Sequence, residues 1–395
     1  MRTLLTLAGT FLPCLGSVIP QIPIGTSSLS ATNANISVEL FNDLEELSRL
    51  VDISYCVGLT GVGIQKPFQC ASRCSDFENF ELVTTWNTGQ LMSDSCGYIA
   101  LSHPPSAPRI ILAFRGTYSV ANTIIDLSTV PQEYVPYPGD EDGSVETATK
   151  LSKRDIDPLK AECTDCTVHM GFMRSWQHTR PSVLPQVEQL KQMYPDYQLT
   201  LVGHSLGGAV AALASLEFQG RGWNPQVTTF GEPRVGNQGL TEYFDKTFVR
   251  DRDLNGRYRR VTHVDDPVPL LPLTEWGYTP HAGEVYISKP DLSPEVPDVH
   301  YCKGDTDPDC IAGAEVDGKT LTMPAIDQEA DLESFKDWWN ESKDALSVPA
   351  RWRIWQLFFA HRDYFWRLGL CIPGGDPKDW YRKYPHDDVG ESPEL

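Results

Sequence analysis

The 395-residue chain reads as an α/β protein, a mixed, mostly parallel central sheet flanked by helices and built as one domain. Three observations lead there. Gln198 to Val202 is a short apolar run that passes through Gly203-His204-Ser205-Leu206-Gly207 straight into a small-residue helical run from Gly208 to Phe218, so strand, sharp turn and helix follow without a linker. Ile110 to Phe114 and Arg257 to Val264 are further strand-like runs, each ended by turn residues. Leu40, Phe41, Leu44, Leu47 and Val51 recur at helical spacing between Val38 and Tyr55, which gives a core-facing helix. Strands alternating with helices of this kind place helices on both faces of a sheet. The length would also admit two domains, but no Gly/Ser linker or internal repeat divides the chain.

In chain order, the N-terminus is basic at Arg2, apolar from Leu4 to Ile19 with a break at Pro13, and small at Gly16 and Ser17. That pattern is a secretory signal over residues 1–17 rather than a membrane span, and no other stretch of the sequence is long and apolar enough to cross a bilayer. Its removal takes Cys14 and leaves nine of the ten cysteines, most of which would pair in an oxidising compartment. Asn35-Ile-Ser37 and Asn340-Glu-Ser342 are glycosylation acceptors. The main domain is expected over residues 18–375, with an acidic, disordered tail over 376–395. Inside the domain, the segment 118–162 is rich in Pro, Gly, acidic and Ser/Thr residues. A connection that long usually covers a site or stays disordered, and Lys153-Arg154 within it is a candidate dibasic cleavage point.

Chemistry concentrates at the Gly203 to Gly207 turn. A serine between strand and helix takes a strained backbone, and glycines two before and two after it let the elements approach. The helix behind Ser205 offers unpaired N–H groups and a positive dipole end to a developing oxyanion. Such a serine needs an acid and a base, and on an α/β-hydrolase scaffold both lie downstream. The downstream histidines are His263, His281, His300, His361 and His386. His300 and His386 fall in acidic or polar, Pro-containing sequence without rigid support. His263 and His281 flank a strand-to-loop region and are explained by one backbone hydrogen bond each. His361 follows the apolar run Trp352 to Ala360 and precedes Tyr364-Phe365-Trp366, an aromatic setting that holds a ring in one rotamer; a core histidine reads equally well from the residues alone. The acid is expected at the carboxyl end of the Arg257 to Val264 strand, at Asp265 or Asp266, between which spacing does not choose.

Taken together, Ile110-Ile-Leu-Ala-Phe-Arg-Gly-Thr117, Cys163-x-x-Cys166 with His169-Met-Gly-Phe172, the Gly-His-Ser-Leu-Gly-Gly turn, Phe230-Gly-Glu-Pro-Arg-Val-Gly-Asn237, Asp266-Pro-Val-Pro with Leu271-Pro272, and Ala360-His361 with Tyr364-Phe365 resemble the fungal class 3 lipase family. That family comprises secreted triacylglycerol lipases and their feruloyl esterase relatives, and the match runs in family order over nearly all of the mature chain. The resemblance implies the α/β-hydrolase fold, a triad of Ser205, Asp266 and His361, and an oxyanion hole from Thr117 and the Leu206 N–H. It implies a lid directly after Thr117, with Val120, Ile124, Ile125 and Leu127 as its apolar face. It further implies the disulfides Cys56 to Cys371, Cys70 to Cys74, Cys163 to Cys166 and Cys302 to Cys310, leaving Cys96 as a buried free thiol. Two features depart from the family: Thr123 stands where true lipases often have Trp, and the 118–162 insertion is much longer than in compact members.

The expected reaction is ester hydrolysis through an acyl-enzyme, with His361 as general base and Asp266 orienting it. No cofactor is needed and no metal is expected, since Cys163-x-x-Cys166 has no second pair at zinc spacing. A formal net charge of −20 disfavours nucleic acid and anionic membrane surfaces and suits a secreted monomer meeting neutral lipid or ester substrate at an oil–water interface. Triacylglycerol, or mono- and diacylglycerol, is the leading substrate; a feruloyl or other cell-wall esterase and a catalytically silent binding protein of the same fold are the alternatives.

Overall fold

The computed structural model describes residues 35–58, 63–89, 94–117, 131–137, 163–248, 256–313 and 359–372. The signal segment, the lid residues Val120, Ile124, Ile125 and Leu127, Lys153-Arg154, Asn340, Trp352 and the acidic tail lie outside these, as does His386.

Helix α1, Val38–Ser54, starts at Ser37, whose hydroxyl accepts the Leu40 N–H at 3.1 Å, the usual way a serine satisfies a helix N-terminus. Strands β1 (Phe80–Asn87), β2 (Cys96–Ser102) and β3 (Arg109–Arg115) follow as an antiparallel set. Beyond the small pair β4 (Pro131–Glu133) and β5 (Thr167–His169) comes helix α2, Met170–Met193. The pattern then becomes the expected alternation: β6 (Gln198–His204), α3 (Leu206–Gly220), β7 (Gln226–Phe230), α4 (Gln238–Phe248), β8 (Tyr258–His263) and β9 (Glu284–Ile287), closed by the edge strand β10 (Val299–Tyr301).

These strands form an eight-stranded sheet in the order β1-β2-β3-β6-β7-β8-β9-β10. The centre from β3 to β9 is parallel and the two flanks are antiparallel. Side-chain alternation along the buried strands divides the core in two. Ile110, Leu112, Phe114, Leu199 and Leu201 face α2 and α3, packing with Phe172, Trp176, Val187 and the alanines of α3. Ile111, Ala113, Val202 and Val261 face α1 and the C-terminal aromatics Tyr364, Phe365 and Trp366. His300, expected to lack rigid support, has one after all: it sits on β10 against the Tyr286 ring, 5.4 Å between centroids, although at the sheet edge.

The opposite face of α1 is also buried, which its apolar spacing does not reveal. Glu45 accepts from Arg49 at 2.9 Å and from the Trp366 indole. Asp52 accepts the Ser72 hydroxyl at 2.6 Å and the Gly369 N–H at 2.7 Å. These bonds dock the segment that carries His361 onto the first helix, and the Cys56–Cys371 disulfide locks the same junction across 315 residues. The pairs Cys70–Cys74, Cys163–Cys166 and Cys302–Cys310 are formed as well, and Cys96 is free and buried.

Because a crosslink restricts the unfolded chain more the longer the loop it closes, replacing Cys56 and Cys371 together by Ser should cost about 2–5 kcal/mol. Removing Cys70 and Cys74, only four residues apart, should cost less; thermal unfolding of the two double variants checks the order.

Candidate active site

The site collects at the carboxyl ends of β3, β6, β7 and β8, where loops of open α/β sheets bring side chains together. Ser205 is the residue between β6 and α3, with φ 57° and ψ −131°, a region that a side chain occupies only under strain. Its N–H donates to the Phe230 carbonyl at 2.9 Å, which pins the turn to β7. The flanking glycines are required by contact rather than by flexibility. A Cβ on Gly203 would lie 2.4 Å from the Gly207 carbonyl oxygen, and one on Gly207 would lie 2.4 Å from that of Phe114.

Asp266 follows β8 and is 1% exposed. Both its oxygens lie 3.0 Å from His361 Nδ1; Oδ1 also accepts the Val268 N–H at 2.9 Å, and Oδ2 accepts the Tyr364 hydroxyl at 2.5 Å. Burial first, and the Asp266 charge second, push the Tyr364 phenol well above its ordinary range, so it stays a donor. Asp265, left open beside Asp266, is exposed, with φ 67°, and does not reach His361. The carboxylate thus fixes which His361 nitrogen carries the proton: Nδ1–H faces Asp266 and leaves Nε2 with its lone pair.

His361 Nε2 is buried and has no hydrogen-bond partner, and the same is true of Ser205 Oγ. Buried polar atoms are rarely left so. Here the orphaned atoms are a hydroxyl and a basic imidazole nitrogen in one neighbourhood. The His361 ring lies 4.6 Å from that of His204, the residue before Ser205. A Cβ on Gly231, next to the Phe230 that holds Ser205, would come within 3.0 Å of both His361 Cε1 and Asp266 Oδ2. Gly231 has φ 59° and no room for a side chain, a constraint that the Phe230-Gly-Glu-Pro-Arg motif carries without naming it.

Leu206 is the first residue of α3, so its N–H has no carbonyl one turn back. Thr117 is half-buried after Gly116, at the end of the strap leaving β3. Gly116 packs tightly on the turn: its Cβ would be 2.9 Å from Ser205 Cβ. The arrangement offers a buried hydroxyl, an imidazole oriented by a carboxylate, and backbone N–H groups at a helix start, the parts needed for acyl transfer. Sequence reasoning passed over His204 and Tyr55. His204 is the variable residue of the glycine-serine turn, and no signal but its position pointed to it.

Two of the other downstream histidines have structural partners. His263 Nε2 donates to the Lys289 carbonyl at 3.0 Å, and His281 pairs with Glu232 at 3.0 Å and with the Ala282 carbonyl at 2.9 Å. Glu284, Cys302 and Cys310 approach one another as metal ligands would, but both cysteines are bound in their disulfide. Asn35 is exposed at a bridge to His300, accessible as a glycan acceptor would have to be.

Residues 111–276 match the family model described as Lipase (class 3). The chain is 54% identical to the secreted mono- and diacylglycerol lipase 2 of Gibberella zeae, over 93% of this chain and 95% of that one. It is 51% identical to Lipase A of Sodiomyces alcalophilus, over 93% and 90%. It is also similar to the crystal structure of Lip2 lipase from Yarrowia lipolytica, with a TM-score of 0.65 and 29% identity over 86% of this chain and 98% of that one.

Burial, followed by the neighbouring His361, lowers the His204 pKa well below its ordinary 6.5. Below pH 6.5 the unfolded chain takes up a proton that the folded chain refuses, so stability is fully present above that value and falls as pH drops beneath it. The expected loss is up to about 1.4 kcal/mol per pH unit from this residue. His263, also lowered by burial, acts in the same direction. Unfolding measured at pH 7.5 and pH 5 should show the slope in the wild type and a shallower one in His204→Gln.

Proposed function

The chain belongs to the class 3 lipases, and from that membership and the geometry around Ser205 we propose that it is a secreted acylglycerol lipase working through Ser205, Asp266 and His361. Membership makes it a carboxylic ester hydrolase. The observation that carries the finer reading is the pair of orphaned buried atoms, Ser205 Oγ and His361 Nε2, beside a carboxylate that fixes the His361 tautomer.

In the proposed reaction, substrate binding brings Oγ and Nε2 into line, since such bonds are often long in free enzymes and tighten on the substrate. His361 Nε2 takes the Ser205 proton as Oγ attacks the ester carbonyl. Asp266 stabilises the imidazolium that results and keeps its orientation; it does not itself take the proton. The oxyanion forms against the Leu206 N–H and Thr117. His361 returns the proton to the departing alcohol, and water, activated by the same nitrogen, hydrolyses the acyl-enzyme. Likeness to relatives named as secreted mono- and diacylglycerol lipases supports partial glycerides as substrates and secretion as the destination. No helix among the described residues is long and apolar enough to cross a membrane. The lid proposed at Val120, Ile124, Ile125 and Leu127 would make the enzyme prefer an oil–water interface.

Hydrolysis of tributyrin measured across its solubility limit, with methyl ferulate alongside, tests this. A rate that jumps when emulsion forms, and vanishes in Ser205→Ala, is expected. Smooth saturation below the limit with ferulate turnover would replace the lipase by an esterase, and no Ser205-dependent turnover of either would leave a binding protein. Asp266→Asn should lower kcat by roughly two to four orders of magnitude, with alkylphosphonate labelling of Ser205 slowed in parallel.

A further inference from the structure

We propose that Tyr55 and His204 form a positioning relay that holds the Gly116–Thr117 strap and the His361 backbone in register with Ser205. The proposal rests on the hydrolase reading above and assigns work to two residues outside the triad.

The hydrogen-bond directions follow from what each group can do. His204 Nε2 lies 2.7 Å from the His361 carbonyl oxygen, which can only accept, so Nε2 carries the proton. A neutral imidazole then has an acceptor at Nδ1, 2.5 Å from the Tyr55 hydroxyl, and the phenol must donate to it. Burial keeps His204 neutral and Tyr55 protonated, which agrees with those roles. The Gly116 backbone packs directly against the Tyr55 hydroxyl. One directed chain therefore runs from Tyr55 through His204 to the His361 carbonyl, with the Gly116 backbone packed on its first member.

The segments it touches are those that catalysis must keep aligned. Gly116 precedes Thr117, His204 precedes Ser205, and His361 is the base, and the three belong to segments far apart in sequence. Tyr55 reaches them from the end of α1, beside Cys56 and its bridge to Cys371. The fit leaves no slack: a Cβ on Gly116 would lie 2.5 Å from Tyr55 Oη and 2.7 Å from the His204 carbonyl oxygen. Tyr55 and His204 are 0% and 2% exposed, so water does not compete for the bonds. A displacement of the strap relative to the base acts on the transition state more than on ester binding, because the oxyanion donors and the base are both engaged only as the tetrahedral centre forms.

The test uses the full-length secreted enzyme on a soluble p-nitrophenyl ester, with active sites counted by alkylphosphonate titration and temperatures kept well below each variant's Tm. Tyr55→Phe should lower kcat per titrated site by about tenfold or more with KM within about twofold. His204→Phe should lose more. His204→Gln, whose amide N–H can still reach the His361 carbonyl, should recover part of that loss. Should His204→Phe fail to fold, a cycle between Tyr55→Phe and His204→Gln decides: effects on kcat that fall short of additive support a shared relay, and additive effects overturn it. Lower Tm with unchanged kcat per site would make the bonds structural only and overturn the relay alone. A wild type without Ser205-dependent turnover would overturn the hydrolase reading and the relay with it.

Discussion

The constraint on which the site depends is the close approach of three backbone segments around Ser205. β6 enters the turn, α3 leaves it, and the strap from β3 lies against both; at Gly203, Gly207 and Gly116 there is no volume for a single methyl group. Such packing forces the serine into a backbone conformation that costs about 1–3 kcal/mol, and the surrounding core sustains it. Every residue from Leu206 to Phe218 is buried, and the Ser205 N–H is fixed to β7. The strain is therefore held by two sheet strands and a helix that have few other ways to pack, and the hydroxyl is presented where the sheet's carboxyl ends gather.

Around this centre the buried carboxylates are paired. Asp266 takes bonds from His361, Val268 and Tyr364. Asp52 takes bonds from Ser72 and Gly369, although burial still pushes its carboxyl up. A buried carboxylate lacking such donors would be expensive. Ser205 Oγ and His361 Nε2 are not the only buried side-chain atoms without a hydrogen-bond partner, but they are a hydroxyl and an imidazole nitrogen in one neighbourhood, which suits the proposed nucleophile and base.

The fold anchors His361, the proposed base, by indirect means. His361 lies on a short C-terminal segment with little regular structure of its own, and its position is fixed by what α1 offers: Glu45 to Trp366, Asp52 to Gly369, and Cys56 to Cys371. The first helix and the last described segment thus act as one unit, and His361 is held by contacts spanning most of the chain.

Much of this was legible in the residues. Local rules suffice for the strand, turn and helix around Ser205, for the Val38 to Ser54 helix, and for the division of the sheet core into two faces, because periodicity and glycine placement are properties of near neighbours. The aspartate was not resolved from spacing, since Asp265 and Asp266 are adjacent and differ only in which one the turn after β8 directs inward. Helix α2 contains Pro181 and Pro185, and proline argues against helix locally, so its stability comes from packing its buried face of Phe172, Trp176, Val183 and Val187 on the sheet. The roles of Tyr55, His204, Gly231 and the polar face of α1 belong wholly to the folded chain. Each depends on atoms that approach within about 3 Å from segments separated by tens to hundreds of residues, and one-dimensional pattern holds no record of those distances.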